Sequence, residues 1–259
     1  MYSAESGKFC SRDPIGYVAG LNRYYAEMVL YLLDPRGTNA LVFAAPDFNG
    51  ISERAIQRCR EKRDQRANAG DAASPTPLPN VRTSRDCSDS VKEKINESAD
   101  PLIRQIREVL SAPAGACRMP PAICRCCPSG FGGFFSGGGA FNRLTICTDD
   151  EGTLPPNIEE ILKHELTHAA QKCRGRYQGN NCDSSLKREL EAYVCGGSCE
   201  GFEECLMRAI GSSCWASCQS PDVFTPQRIE ELHLWFTNSE ATFCQFDQQG
   251  AGNEDNVDS

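Results

Sequence analysis

The chain has 259 residues, long enough to bury a core, and a net charge of −8. That balance argues against a nucleic-acid-binding surface, and no apolar run reaches the length of a membrane span. Sixteen cysteines are many for this length; they imply a disulfide framework in an exported protein, or metal ligands in a reducing compartment.

The N-terminal stretch MYSAESGKF lacks the form of a signal peptide. That conflicts with a disulfide framework, a conflict resolved if the chain is one end of a larger exported polypeptide. Residues 1–40 read as strands and turns, with Asp13-Pro14 and Asp34-Pro35 steps and turn glycines. Residues 52–66, SERAIQRCREKRDQR, read as a charged helix capped by Ser52. The Pro-rich stretch 67–80 reads as a flexible linker. Helix resumes over roughly 89–111 and breaks near Pro101.

Cys117, Cys124, Cys126, Cys127 and Cys147 surround the tract GFGGFFSGGGAF. The tract lacks a P-loop lysine and Rossmann spacing, so it is not read as a phosphate cradle. Leu144 to Cys147 forms a short strand. It is either a plain core strand or an edge to which an extended peptide could add.

His164-Glu165-Leu166-Thr167-His168 follows, using two of only three histidines. Chance supplies on the order of 0.003 such HExxH motifs at this composition. Asn157 and Glu160 suggest a capping box, Ile158, Ile161, Leu162, Leu166 and Ala169 give an apolar face, and Cys173 and Gly175 close the helix. Residues four apart share a helical face, so both imidazoles can grip one Zn²⁺, with Glu165 as general base.

Further helices are expected at 183–199, capped by Asp183 or Ser184, at 202–211, and at 226–238 behind Thr225 and Pro226. His233, beside Leu232, Leu234 and Trp235, reads as a structural histidine. The tail from Gln248 is polar and acidic and is expected to be disordered. A catalytic zinc takes three protein ligands, and no third motif histidine follows. Glu189 and Glu191 are the candidates for the third place. Two residues apart on a helix, only one can face the metal, and the other is expected at the surface. Tyr193 is one turn past Glu189, either as an oxyanion donor or as a core tyrosine. Cys195 and Cys199 are four apart, as are Cys214 and Cys218. Two helices bearing them on facing sides would be stapled by two disulfides, with Cys173, Cys182, Cys205 and Cys244 adding more; a zinc site made of these thiols is the competing arrangement.

Two resemblances add to this. Tyr2, Gly7-Lys8-Phe9, Ser11 to Tyr17, Gly20-Leu21-Asn22, Tyr24 and Asp34 to Gly37 resemble the end of the Rhs repeat-associated core. Asp13 and Asp34 match aspartates of that pattern, whereas Thr38 stands where leucine is usual. The resemblance implies that the rest of the chain is a variable C-terminal module, often a toxin, with a cognate immunity protein. Separately, His164 to Ala169, Cys173-Arg174, Glu189, Ala192 and Gly197 to Cys199 resemble the mitochondrial intermembrane-space metallopeptidase that matures an ATP synthase subunit. Upstream, Cys124, Cys127, Gly132-Gly133 and Ile146-Cys147 fit the same order, while Ala170 and Gln171 depart from it. This resemblance spans about 120–218 and implies His164, His168 and Glu189 as ligands, together with disulfides.

The expected protein is therefore an α+β, zincin-like metallopeptidase: a small sheet, the HExxH helix and Cys-rich helices. Its parts are a core remnant at 1–40, a helical and linker region at 41–114, the peptidase at 115–247 and a tail at 248–259. It is expected to be secreted or delivered with a larger polypeptide and to cut a protein or peptide substrate. The alternative is a disulfide-rich binding or chaperone module in which zinc is structural.

Overall fold

The computed structural model describes residues 46–246, apart from 70–74, 79, 112–116, 128–131, 139–140 and 219, together with the backbone of 2–3 and 8–9. The chain divides into two compact units, Met1–Pro46 and Asp47–Ser259. In the first, strand β1 (Tyr2–Ser3) pairs antiparallel with β2 (Lys8–Phe9). The rest of the block that resembles an Rhs core lies outside the described residues, as does the tail from Gln248.

The second unit is α+β. Helix α1 (Phe48–Ala69) starts before the expected Ser52 cap, because Asp47 already accepts from Gly50 N at 3.0 Å. Ser52 lies inside the helix, buried, and its hydroxyl donates to the Phe224 carbonyl. Within the stretch expected as linker, β3 (Thr76–Pro77) pairs with a later strand and Leu78 is buried. Helix α2 (Val81–Glu97) begins eight residues before the predicted start, because the Asn80 side chain caps it through Arg82 N. Helix α3 (Pro101–Val109) follows the break, with Pro101 in its first turn and Asp100 accepting from Leu102 N and Ile103 N.

Strands β4 (Ala122–Cys126), β5 (Gly133–Gly138) and β6 (Phe141–Thr148) complete a four-stranded mixed sheet of order β3-β4-β6-β5. β4 and β6 are parallel, and β5 and β6 are antiparallel with Phe134 opposite Thr145. Leu144 to Cys147 therefore lies inside the sheet and cannot be its edge; the free edge beyond it is β5.

Helix α4 (Ile158–Arg174) carries the HExxH motif and ends on Gly175, whose φ of 70° is the left-handed conformation that glycine adopts without strain. The Asn157 side chain makes no cap bond, so the expected capping box does not form. Helix α5 (Cys182–Gly196) is capped by Asn181 rather than Asp183 or Ser184, since Asn181 Oδ1 accepts from Ser184 N at 2.8 Å. Helix α6 (Gly201–Ala216) and helix α7 (Pro226–Ser239) follow, the latter capped by Thr225 as expected.

Two apolar clusters hold this unit. One joins α1, α5, α6 and α7 around Cys59, Leu190, Leu206, Ile210 and Phe236. The other joins the sheet to α2, α3 and α4 around Val91, Ile103, Leu144, Ile146 and Leu166. The apolar face predicted for α4 supplies Ile158, Leu162, Leu166 and Ala169 to the second cluster. Helices α4 and α5 meet at the seam between the two.

Seven disulfides form among the described residues: Cys59–Cys214, Cys87–Cys124, Cys117–Cys173, Cys127–Cys147, Cys182–Cys218, Cys195–Cys244 and Cys199–Cys205. The Cx3C pairs are not stapled to each other, because each of these cysteines finds a partner nearer in space. Their sulfurs are consumed by disulfides, which removes the thiol zinc site as an arrangement for them. Among the described residues Cys126 is the free thiol. So many disulfides suit an oxidising, extracellular-type environment. No described helix is long and apolar enough to cross a membrane.

Cys59–Cys214 closes the longest loop, with a sequence separation of 155. Replacing both by serine is expected to lower unfolding stability by about 2–5 kcal/mol, with Cys126→Ser changing it by less than about 0.5 kcal/mol. Denaturant midpoints under non-reducing conditions check both.

Candidate metal centre

Helix α4 presents His164 and His168 one turn apart toward α5, and α5 returns Glu189. The approach is close because small residues line it. A Cβ on Gly196 would stand 3.4 Å from the Glu160 carbonyl and 3.5 Å from His164 Cβ, and Ala192 is fully buried. Glu189, Ala192, Tyr193 and Gly196 are spaced 3, 4 and 7 along α5 and so share the face turned to α4.

The three side chains converge. His164 Nε2 and His168 Nε2 are 3.2 Å apart. The Glu189 carboxylate places one oxygen 3.5 Å from His164 Nε2 and the other 3.4 Å from His168 Nε2. Zn²⁺ ligands at bond lengths of about 2.0–2.1 Å in a tetrahedron lie roughly 3.3–3.4 Å from one another. The spacing and the donor set, two imidazoles and a carboxylate, therefore fit such an ion. Among the described residues this is the one His/Cys/Asp/Glu group close enough to hold a metal.

Electrostatics bind the cluster even without a cation. Burial would push the Glu189 carboxyl up, yet the charges and hydrogen bonds of His168 and His164 hold it well below the usual range. Burial likewise works against a charged His168, but the Glu189 carboxylate outweighs it and the imidazole is pushed up to about 9. Glu165 is buried, and burial raises its carboxyl against the opposing pull of the two histidines. The Phe135 backbone N–H of β5 also favours its ionised form, and a Cβ on Gly133 would lie 3.4 Å from its Cγ.

Tyr193 packs its ring against His164 with centroids 4.4 Å apart. Its hydroxyl is 3.0 Å from Ser212 Oγ, and burial, with the Glu189 charge, pushes it up to about 12. Glu191 corrects the surface expectation: it is fully buried and paired with Arg176 at 2.5 Å. Helix α5 is covered on both sides, so two glutamates on different faces are both inside. His233 stands edge-on to the Phe48 and Phe202 rings, at 5.5 and 5.0 Å, as a structural residue.

Two residues to which the sequence assigned no role, Gln171 and Arg176, complete the surroundings. Gln171 Oε1 is 3.0 Å from His168 Nδ1, and Arg176 reaches both Glu191 and the Gln245 carbonyl. Gln171 lies three residues past His168, on the same helical face, and that spacing was the available signal. No protein-family model matches the chain, and neither the curated proteins nor the solved structures give a match.

Without metal, stability should depend on pH through this cluster. The raised His168 contributes fully below its unfolded value of about 6.5 and loses that contribution as pH rises through about 9. The depressed Glu189 contributes above its unfolded value of about 4.3 and loses its share as pH falls below that. Melting temperatures of chelator-treated protein should therefore fall on both sides of about pH 4.5–6.5. The alkaline fall should vanish in His168→Ala. Separately, Glu191→Ala strands Arg176 in a partly buried site and is expected to cost about 3–5 kcal/mol in denaturant unfolding.

Proposed function

We propose that the chain is a zinc-dependent endopeptidase. The observation that carries this is the convergence of His164, His168 and Glu189 at tetrahedral spacing, with Glu165 of the same HExxH motif buried beside them. Bound Zn²⁺ supplies Lewis-acid activation of water and of a carbonyl. Three protein ligands leave a coordination position for substrate or water. His233, the remaining histidine, is held between two aromatic rings, which disfavours the closed structural site of the alternative reading.

Glu165 takes the proton of the attacking water and returns it to the leaving amine. Its raised carboxyl suits that exchange, because a base of higher pKa holds the proton between the two steps. The substrate lies along β5. Cys147 N donates to the Gly132 carbonyl, so alternation along the antiparallel pair turns the backbone groups of Gly133, Phe135 and Gly137 away from β6. These groups face outward for an extended peptide, with the Phe135 N–H on the side of Glu165.

The biological setting we propose is the C-terminal toxin module of an Rhs-type polymorphic system, delivered within a larger exported polypeptide and neutralised by a cognate immunity protein. The support is the Rhs-like block at residues 1–40 directly before a module of different composition, and a disulfide set that needs an oxidising destination.

Zinc content is expected to be one ion per chain, lost or sharply weakened in His164→Ala, His168→Ala and Glu189→Ala. Glu165→Gln should keep the zinc and lose at least about 100-fold in peptide cleavage. Equal cleavage by folded, zinc-loaded Glu165→Gln would sink the peptidase reading. Absence of toxicity in every compartment of a sensitive cell would sink the toxin reading alone.

A further inference from the structure

His168 and His164 are not held alike. His164 Nδ1 is buried without a hydrogen-bond partner, and its ring is fixed by packing on Tyr193. His168 Nδ1 instead meets the side-chain oxygen of Gln171 at 3.0 Å. The Gln171 amide is itself over-determined. Its Nε2 lies 3.0 Å from the Arg188 carbonyl and 3.0 Å from Glu191 Oε2, both of which only accept. Turning the amide over would set its oxygen against a carbonyl and a carboxylate, and its NH₂ against the imidazole. The oxygen must therefore face His168, and His168 must donate from Nδ1. In the neutral imidazole that a metal requires, Nε2 then carries the lone pair, on the side of Glu189 and His164.

The far side of the chain of contacts is equally fixed. Glu191 is fully buried and accepts from Arg176 Nη1 at 2.5 Å and from the Cys244 backbone N–H at 3.4 Å. Arg176 also donates to the Gln245 carbonyl at 2.7 Å and covers the Phe246 ring. Cys195–Cys244 ties that segment back to α5.

We infer that Gln171 is a positioning residue for the metal: it fixes the tautomer and ring orientation in which His168 offers Nε2, and the buried Glu191–Arg176 pair locks the Gln171 amide in the orientation this requires. The inference rests on His164, His168 and Glu189 being a metal site. It assigns to Gln171, Glu191 and Arg176 a role that the HExxH motif does not contain. A hydrogen-bonded partner on the second ring nitrogen typically raises metal affinity about 10- to 100-fold.

The test uses the full oxidised chain with zinc as the probe. Long-range ¹H–¹⁵N correlation on zinc-loaded wild type should place a single, slowly exchanging proton on His168 Nδ1. In Gln171→Met, which keeps the length and removes the amide, that proton should exchange rapidly. Zinc affinity by chelator competition should fall about 10- to 100-fold, with the disulfide set and far-UV spectrum retained. A wild-type His168 that carries its proton on Nε2 overturns the inference, whether or not the variant folds. So does a folded Gln171→Met that binds zinc as tightly as wild type. Neither readout involves peptide cleavage. A chain that binds zinc in this way and cuts nothing would overturn the peptidase reading and leave the positioning role standing, whereas a chain that binds no zinc overturns both.

Discussion

A carboxylate and two imidazoles are pressed together between two apolar clusters, and the arrangement of the second unit follows from keeping them there. Glu189, His164 and His168 each have side chains less than one-fifth exposed. An isolated ion so placed would pay several kcal/mol in lost hydration. The opposite charges of Glu189 and His168, 3.4 Å apart, offset that cost only while the geometry holds, because a partner displaced by a bond length leaves the other stranded. The helices carrying them must therefore be close and must not slide. Gly196 and the buried Ala192, on the face of α5 turned to α4, supply the closeness.

The disulfides supply much of the resistance to sliding, and their distribution is uneven in an informative way. Cys87–Cys124 and Cys127–Cys147 brace the sheet side, while Cys59–Cys214 and Cys182–Cys218 brace the helical side. Cys117–Cys173 pins the end of α4. The stretch after α7 crosses from one cluster to the other, with Phe243 buried in the helical cluster and Phe246 in the sheet cluster, and Cys195–Cys244 fastens it midway. Each cluster alone is small, and small cores need covalent help. The seam between them needs it most, since the charged cluster contributes little apolar area there.

How much of this the sequence could yield depends on the range of the interaction. His164, Glu165 and His168 sit within one turn and a half of one helix, so their relation is fixed locally and the motif is readable. The third carboxylate comes from another helix. Glu189 and Glu191 could be separated by rotation but not by burial, since nothing local says that α5 is enclosed on both sides. The resemblance pointed to Glu189; the structure adds that Glu191 is inside as well, serving Arg176 and Gln171. Cysteine pairing was least legible. A four-residue spacing places two sulfurs on one face but names no partner, and Cys214 pairs with Cys59 across 155 residues. The helix starts erred wherever a side-chain cap lay outside the periodic pattern, at Asp47, Asn80 and Asn181.

The glycine tract before β6 illustrates the same limit from the opposite direction. Its composition excludes a phosphate cradle but does not say what the glycines are for. Packing does. A Cβ on Gly132 would stand 2.6 Å from Ile161 Cδ1, and one on Gly133 would stand 2.9 Å from the Thr145 carbonyl and 3.0 Å from Ile161 Cγ2. The end of the Ile161 side chain can turn aside, but the Thr145 carbonyl is backbone, and a Cβ on Gly133 could be accommodated only by moving the edge strand. That movement would change the distance between Glu165 and β5, whose Phe135 N–H favours the ionised carboxylate. The glycines thus set the distance between the helix that bears the histidines and the strand whose outward backbone groups a peptide could meet. They couple the candidate metal centre to the sheet edge through a close backbone approach, without contributing a side chain to either.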